Sequence, residues 1–300
     1  MQYIAILIFT IPGGFMPELS KQEIKDLIER SYKARANVLE MMKKGEGHIG
    51  GAFSALDIIT VLYNKILKHD PKMPKWEDRD RFILSAGHKV MGLYATLADQ
   101  GYFDEEILWT YNTLSTRVPM HPDEKVLPGI EFPTGSLGHG LAVANGIALS
   151  ARLDKKDFRV FVILGDGECA EGSVWEAAMS AGHHKVDNLT AIVDRNGFQV
   201  NGATENIMDT SPFEDKFAAF GWEVTTIDGH DIGQIYDVLS GLPLRNGKPT
   251  AVIADTTKCK GLAFGEDRFE FHHWHCPEGE IDRAIDIVNQ QKEKEHAKVK

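Results

Sequence analysis

Cysteine is scarce. Cys169, Cys259 and Cys276 are the only three in 300 residues, too few and too unpatterned for a disulfide framework, which fits a reducing cytosol and a cytoplasmic location. Positive charge is short as well: 33 Lys and Arg stand against 44 Asp and Glu, a net charge of −11. Nucleic acid is therefore not an expected partner, because phosphate binding needs a cationic excess on one face. Any anionic ligand must be met by a local site. The apolar stretch Ile4–Ile11 is too short to span a bilayer, and no Lys or Arg precedes it as a secretory leader requires. No membrane association is expected. Residues 1–15 read as a disordered upstream extension or leader, with Met16-Pro17-Glu18-Leu19-Ser20 as the natural beginning. No internal repeat or low-complexity linker divides the remainder, so residues 16–300 read as one domain of ordinary composition, 43% hydrophobic and 26% charged.

What is present alternates between strand and helix. Val160–Leu164 and Leu189–Val193 are apolar without alternation, as strands buried on both faces are, and Thr250–Ala254 is a third such run. Asp80–Ser85 and Trp222–Ile227 complete the predicted strands. Helices are expected from Lys21 to about Lys44, with Ser20 and Glu23 forming a capping box, then from Ser54 as a cap, through Leu93–Leu97, Leu141–Arg152, Glu171–His183, Phe213–Phe220 and Ile232–Leu242. The fold class is α/β: a three-layer, doubly wound, mostly parallel sheet. The tail from Gln290 reads as a solvated, fraying helix end.

The strand Val160–Leu164 breaks at Gly165-Asp166-Gly167, where a glycine turn would present backbone N–H groups near a helix N-terminus, a place for an anion. The strand Leu189–Val193 ends in Asp194-Arg195-Asn196-Gly197. Asp166, Asn196 and a backbone carbonyl, that of Phe198, can hold one hard cation in the near-octahedral oxygen set that Mg²⁺ prefers, with Ca²⁺ or Mn²⁺ as alternatives. A tight turn with no ligand is the plain alternative for the Gly-Asp-Gly. Histidines recur at glycine-rich strand or loop ends: His48 in Gly47-His48-Ile49-Gly50-Gly51, His88 in Ser85-Ala86-Gly87-His88-Lys89, and His121 before Pro122. Asp228-Gly229-His230-Asp231 reads as a turn and helix cap rather than a catalytic site. His272, His273, His275 and Cys276 sit too close together for a structural zinc site, which uses separated pairs.

The blocks GHIGG (47–51), DRFILSAGHKV (80–90), HPDEKVLPGIEFPTGSLGHG (121–140) and GDGECAEG (165–172), in this order, resemble the N-terminal half of transketolase over about residues 20–280, and GDG followed by Asn196 resembles the thiamine diphosphate signature. The resemblance implies a diphosphate-binding (PP-type) domain. It implies that His48, His88 and His121 surround the thiazolium and the substrate's first carbons. His88, Gly135, Ser136, Leu137, Gly165, Asp166, Gly167, Glu171 and Asn196 would contact the cofactor or its metal, and Phe198 would supply the carbonyl ligand. Trp274-His275 before Pro277 looks like the family's WHG-x-P segment, with Cys276 at the glycine place, so His275 is expected to reach the diphosphate and the reacting carbons, as a fourth catalytic histidine. Glu171 and Glu176 match acidic positions at the family's subunit interface, solvated first-turn carboxylates being the alternative.

In this family the carboxylate that activates the cofactor belongs to a second, pyrimidine-binding domain, and the sequence stops at Lys300 where that domain would start. The resemblance therefore implies the N-terminal subunit of a split transketolase. It would move a two-carbon ketol unit between sugar phosphates, pairing with a separate C-terminal subunit in a two-plus-two heterotetramer. The alternatives are a subunit of another thiamine enzyme, deoxyxylulose-phosphate synthase-like or an oxo-acid dehydrogenase component, or a non-catalytic cofactor-binding subunit.

Overall fold

Five parallel strands carry the architecture: β1 (Arg81–Leu84), β2 (Val160–Gly165), β3 (Leu189–Arg195), β4 (Glu223–Asp228) and β5 (Thr250–Asp255), in spatial order β1-β2-β3-β5-β4. The computed structural model describes residues 17–277 and 279–299; the extension assigned to residues 1–15 lies outside them. Register runs Arg81 beside Val160, Val160 beside Leu189 and Thr190 beside Thr250. Because side chains alternate across a strand, Phe161 and Ile163 enter one core and Val160, Val162 and Leu164 the other. Both faces are covered, which is why the runs Val160–Leu164 and Leu189–Val193 show no polar alternation. The doubly wound α/β class expected from the sequence is the one observed.

One face is packed by α1 (Lys21–Met41), α2 (Ile49–Val61), α3 (Val90–Asp99) and, further along the chain, Ile232–Ser240 and Glu280–Lys298. The other is packed by Gly140–Leu153, Gly172–His183 and Phe213–Ala219. The expected capping box is present at α1: Glu23 N donates to Ser20 Oγ at 3.3 Å and Ser20 N donates to Glu23 Oε2 at 2.9 Å. The expected cap at Ser54 is not. α2 begins at Ile49, leaving Ser54 buried in its second turn, where its hydroxyl donates to Asp194 Oδ2 at 2.6 Å. Among the described residues Ile49–Ile66 is long and apolar enough to cross a membrane, but 89% of it is buried inside the protein, as befits the core helix of the sheet's covering layer.

The C-terminal tail is also more engaged than its polar composition suggests. Glu280–Lys298 stays helical and lies along α1, burying Ile281, Ala284 and Val288. Lys292 Nζ reaches Glu29 Oε1 at 2.9 Å, and His296 Nε2 lies 3.2 Å from the Lys25 carbonyl.

A buried ion pair ties α1 to α2. The fully buried Arg35 places Nη2 2.8 Å from Asp57 Oδ2 and Nη1 3.0 Å from Asp57 Oδ1. Desolvation of Asp57 is outweighed by Arg35 and then by His230, so its carboxyl titrates well below the usual range. Breaking such a pair strands a charge in a low-dielectric interior. Arg35→Met is expected to cost about 3–5 kcal/mol, read as a lowered midpoint in urea denaturation; an unchanged midpoint would contradict the pairing.

Candidate active site

The C-terminal ends of β1, β2, β3 and β5 open on one cleft, lined by His88, Lys89, Asp166, Asn196, Phe198 and Lys258. This is where open α/β sheets bind ligands, because loops leaving the strand ends splay apart there. Two of those residues were missed by motif reading: Lys89 and Lys258 are 2% and 1% exposed. Lys89 Nζ pairs with Asp194 Oδ2 at 2.5 Å, at the buried end of β3. Lys258 has no hydrogen bond or ion pair at Nζ among the described residues, and burial, then the nearby Lys89 charge, push it down to about 8. The signal in the sequence was position: both lysines follow shortly after strand ends. A Cβ on Gly50 would stand 3.0 Å from Lys258 Cε, and one on Gly51 would stand 2.9 Å from Lys89 Cγ. The two glycines after His48 therefore make room for the two lysines.

The Gly165-Asp166-Gly167 turn works differently from the expectation. Its N–H groups are not free for an anion, since Gly167 N donates to Asp166 Oδ1 at 2.8 Å and Gly165 N to Glu168 Oε2 at 3.0 Å. A short 3-10 turn, Gly167–Ala170, separates it from the helix, which starts at Gly172. Asp166 Oδ2 accepts from Gly197 N at 2.7 Å, so one carboxylate joins the loops after β2 and β3. Burial and then the Asp194 carboxylate raise Asp166, against Lys89 and the two backbone donors. Asn196 Oδ1 accepts from Phe198 N at 3.2 Å. Glu168, also missed, is buried and takes the Ser85 hydroxyl and Gly138 N, the latter at 2.9 Å.

Histidines cluster beside the cleft. Ring centroids lie 5.2 Å apart for His48 and His88, 6.3 Å for His48 and His121, 5.5 Å for His48 and His272, and 4.7 Å for His48 and His273. The three expected from the sequence are together; His275 is not with them. Trp274-His275 pairs with Glu46-Gly47 in an antiparallel ribbon, Trp274 packs on Phe264 and Phe271, and alternation turns His275 outward, 77% exposed with Nδ1 4.0 Å from Glu46 Oε2. His272 occupies the inner position instead and lines the cleft, while His273 stays exposed beside His48. Gly135, with φ of +151°, lets the His121 ring approach: a Cβ there would stand 2.9 Å from His121 Cδ2. Leu137 lines the cleft while Ser136 is exposed and lies outside its lining. Glu171 and Glu176 are both exposed, at the cap and on the body of the helix after the turn.

Burial drives these rings toward the neutral form. Desolvation, then His273 and His121, push His48 down to about 4, and desolvation, then Lys258, pushes His272 to about 3. His88 is lowered well below its ordinary value, by burial first and Lys89 second, and burial lowers His121. An unfolded chain takes up protons near 6.5, whereas the folded cluster resists until pH 4 or lower. Stability is therefore expected to fall as pH drops from about 6.5 to 4 and to gain nothing from these groups above 6.5. Thermal melting from pH 8 to 4 should show a shallower acid loss for a His48→Gln, His272→Gln variant; an identical slope would contradict the burial argument.

The residues fit a metal diphosphate on three observations. Lys258 is a buried ammonium without a partner among the described residues, Asp166 is a buried carboxylate raised by burial and its acidic neighbour, and His48 Nδ1 is buried with no hydrogen-bond partner among them. An anion would answer the first and a divalent cation the second. Hard oxygen donors, Asp166, Asn196 and the Phe198 carbonyl, suit Mg²⁺ chemistry.

Residues 31–293 match the family described as transketolase, thiamine diphosphate binding domain. The chain belongs to the transketolase family. It is 39% identical over 275 residues to an apulose-4-phosphate transketolase subunit of Phocaeicola vulgatus, covering 92% of this chain and 94% of that one. Against a 6-deoxy-6-sulfo-D-fructose transketolase subunit from a Clostridium strain it is 41% identical over 261 residues, covering 87% and 94%. The transketolase of Campylobacter jejuni superposes with a TM-score of 0.78 at 29% identity, covering 94% of this chain, which spans 48% of that one. The chain thus has the extent of these two transketolase subunits and spans about half the length of the solved transketolases it matches.

Proposed function

We propose that this chain is the diphosphate-binding subunit of a two-subunit transketolase, transferring a two-carbon ketol unit from a ketose phosphate to an aldose phosphate. The observation that carries the reading is the cleft itself, where Asp166 and Asn196 face two buried lysines beside the histidine cluster. Asp166, Asn196 and the Phe198 carbonyl would hold Mg²⁺, and Lys89 and Lys258 would neutralise diphosphate charge. Bound thiamine diphosphate supplies a nucleophilic carbon and an electron sink for C–C cleavage. The chain's own part is to orient the sugar and move protons. His48, His88 and His272, held neutral by desolvation, can both donate to and accept from sugar oxygens. His121, at the exposed side of the cluster, is placed to exchange protons with an entering sugar.

The partner is a C-terminal, pyrimidine-binding subunit, in a two-plus-two heterotetramer. Support comes from relatives named as subunits and from apolar surface beside the cleft: Val200, Ile207 and Met208 are each more than half exposed on the loop after β3. Relatives named for apulose-4-phosphate and 6-deoxy-6-sulfo-D-fructose support a donor ketose bearing an anionic group far from its carbonyl. The free thiols Cys169, Cys259 and Cys276 support a cytoplasmic setting. Co-purification with the product of a C-terminal-half gene, followed by mass measurement in solution and a thiamine diphosphate titration with and without Mg²⁺, tests the reading. A four-subunit complex that binds cofactor only with the metal is expected; no complex, or metal-independent binding, would refute it.

A further inference from the structure

The motif Asp228-Gly229-His230-Asp231 has a role beyond turning the chain. Asp231 caps the helix Ile232–Ser240, accepting from Gln234 N at 3.0 Å, and Asp228 Oδ1 accepts from His230 N at 2.8 Å. Gly229 leaves room for Thr256, whose Cγ2 a Cβ would strike. The half-buried His230 ring is thereby carried between two elements. Its Nδ1 lies 2.7 Å from Asp57 Oδ2, and its Nε2 accepts from Thr257 N at 2.8 Å. An Nε2 that accepts puts the ring hydrogen on Nδ1, donating to Asp57.

Thr257 precedes Lys258, the buried ammonium of the cleft. The segment 256–260 is a turn, with Cys259 at a φ of +61°, closed by Lys260 N donating to the Thr257 carbonyl at 3.2 Å, and the Lys258 carbonyl accepts from Asp267 N at 3.1 Å; the remaining restraints come from other elements. Thr256 Oγ1 donates to Asp194, Thr256 N to the Arg195 carbonyl at 3.2 Å, Cys259 N to the Gly50 carbonyl at 3.0 Å, and Arg35 Nε to the Lys260 carbonyl at 2.8 Å. Asp57 anchors two of these restraints at once, through Arg35 and through His230. Among these contacts, the one from His230 alone grips the N–H of Thr257, the residue before Lys258.

We infer that His230, oriented by Asp57, is a positioning residue that holds Lys258 against the cofactor's diphosphate. The inference rests on the proposed cofactor reading of the cleft. His230 itself touches neither cofactor nor sugar; it acts through the backbone beside Lys258.

The test is a double-mutant cycle on the full chain in complex with its C-terminal-half subunit, titrated with thiamine diphosphate and Mg²⁺ by calorimetry, with each variant's melting temperature measured alongside. His230→Asn keeps a donor for Asp57 but has no atom that reaches Thr257 N, whereas His230→Gln places an acceptor where Nε2 stands. Lys258→Met is expected to raise Kd about tenfold. His230→Asn should raise it about fivefold alone and under about twofold in the Lys258→Met background, with His230→Gln near wild type. A His230→Asn effect of equal size in both backgrounds, or equal effects of Asn and Gln, overturns the positioning role while leaving the cofactor reading intact. An unchanged Kd for Lys258→Met, or no binding by the wild-type complex, overturns both.

Discussion

Asp166→Asn is expected to lower turnover of the reconstituted enzyme by more than about a hundredfold and to abolish metal-dependent cofactor binding. Asp166 is the only carboxylate in the proposed metal set, so the substitution removes the charge that draws Mg²⁺ into the cleft. It also rearranges the turn. The carboxylate accepts from Gly167 N with one oxygen and from Gly197 N with the other, and an amide offers one acceptor where two are needed. That loss should cost about 1–2 kcal/mol of stability, too little to unfold the chain. Calorimetry with thiamine diphosphate and Mg²⁺, beside a melting curve, separates the two effects. Retained metal-dependent affinity would remove Asp166 from the site.

His121→Ala is expected to leave cofactor affinity within about twofold and to lower kcat by about 10² to 10⁴, the range a positioned acid or base supplies. The residue is exposed, and Tyr94 OH, donating at 3.2 Å, uses the His121 backbone carbonyl, which alanine keeps. The fold has little reason to change. A catalytic subunit and a pure binding subunit differ on this variant: the first loses turnover and keeps cofactor, the second has no turnover to lose. Weakened cofactor binding in step with activity would instead put His121 among the cofactor's supports.

The sheet was readable because strands buried on both faces leave unbroken apolar runs, as in Val160–Leu164, and local caps were readable because Ser20 and Asp231 act on neighbours within four residues. The start of α2 was not. Ile49-Gly50-Gly51 has poor helix propensity, and only the packed fold reveals that the glycines admit Lys89 and Lys258. Those lysines were invisible for a related reason, since burial of an ammonium is a property of the cleft and not of its neighbours in sequence. Among His272, His273 and His275 the family pattern favoured the last, but the face each presents depends on pairing with Glu46-Gly47, more than two hundred residues away in the chain. The tail from Gln290 misled by composition, because Lys292 and His296 are spent on α1 and not on water.

Division of a transketolase site between two chains is tested most directly by ketol transfer from a ketose phosphate to an aldose phosphate, with thiamine diphosphate and Mg²⁺. The rate is measured for this chain alone and for this chain mixed with a C-terminal-half subunit. Turnover in the mixture and none in the chain alone is the predicted result. Turnover by the chain alone would contradict the division of the site between two subunits, and no turnover in a mixture that still binds cofactor would contradict the reaction itself.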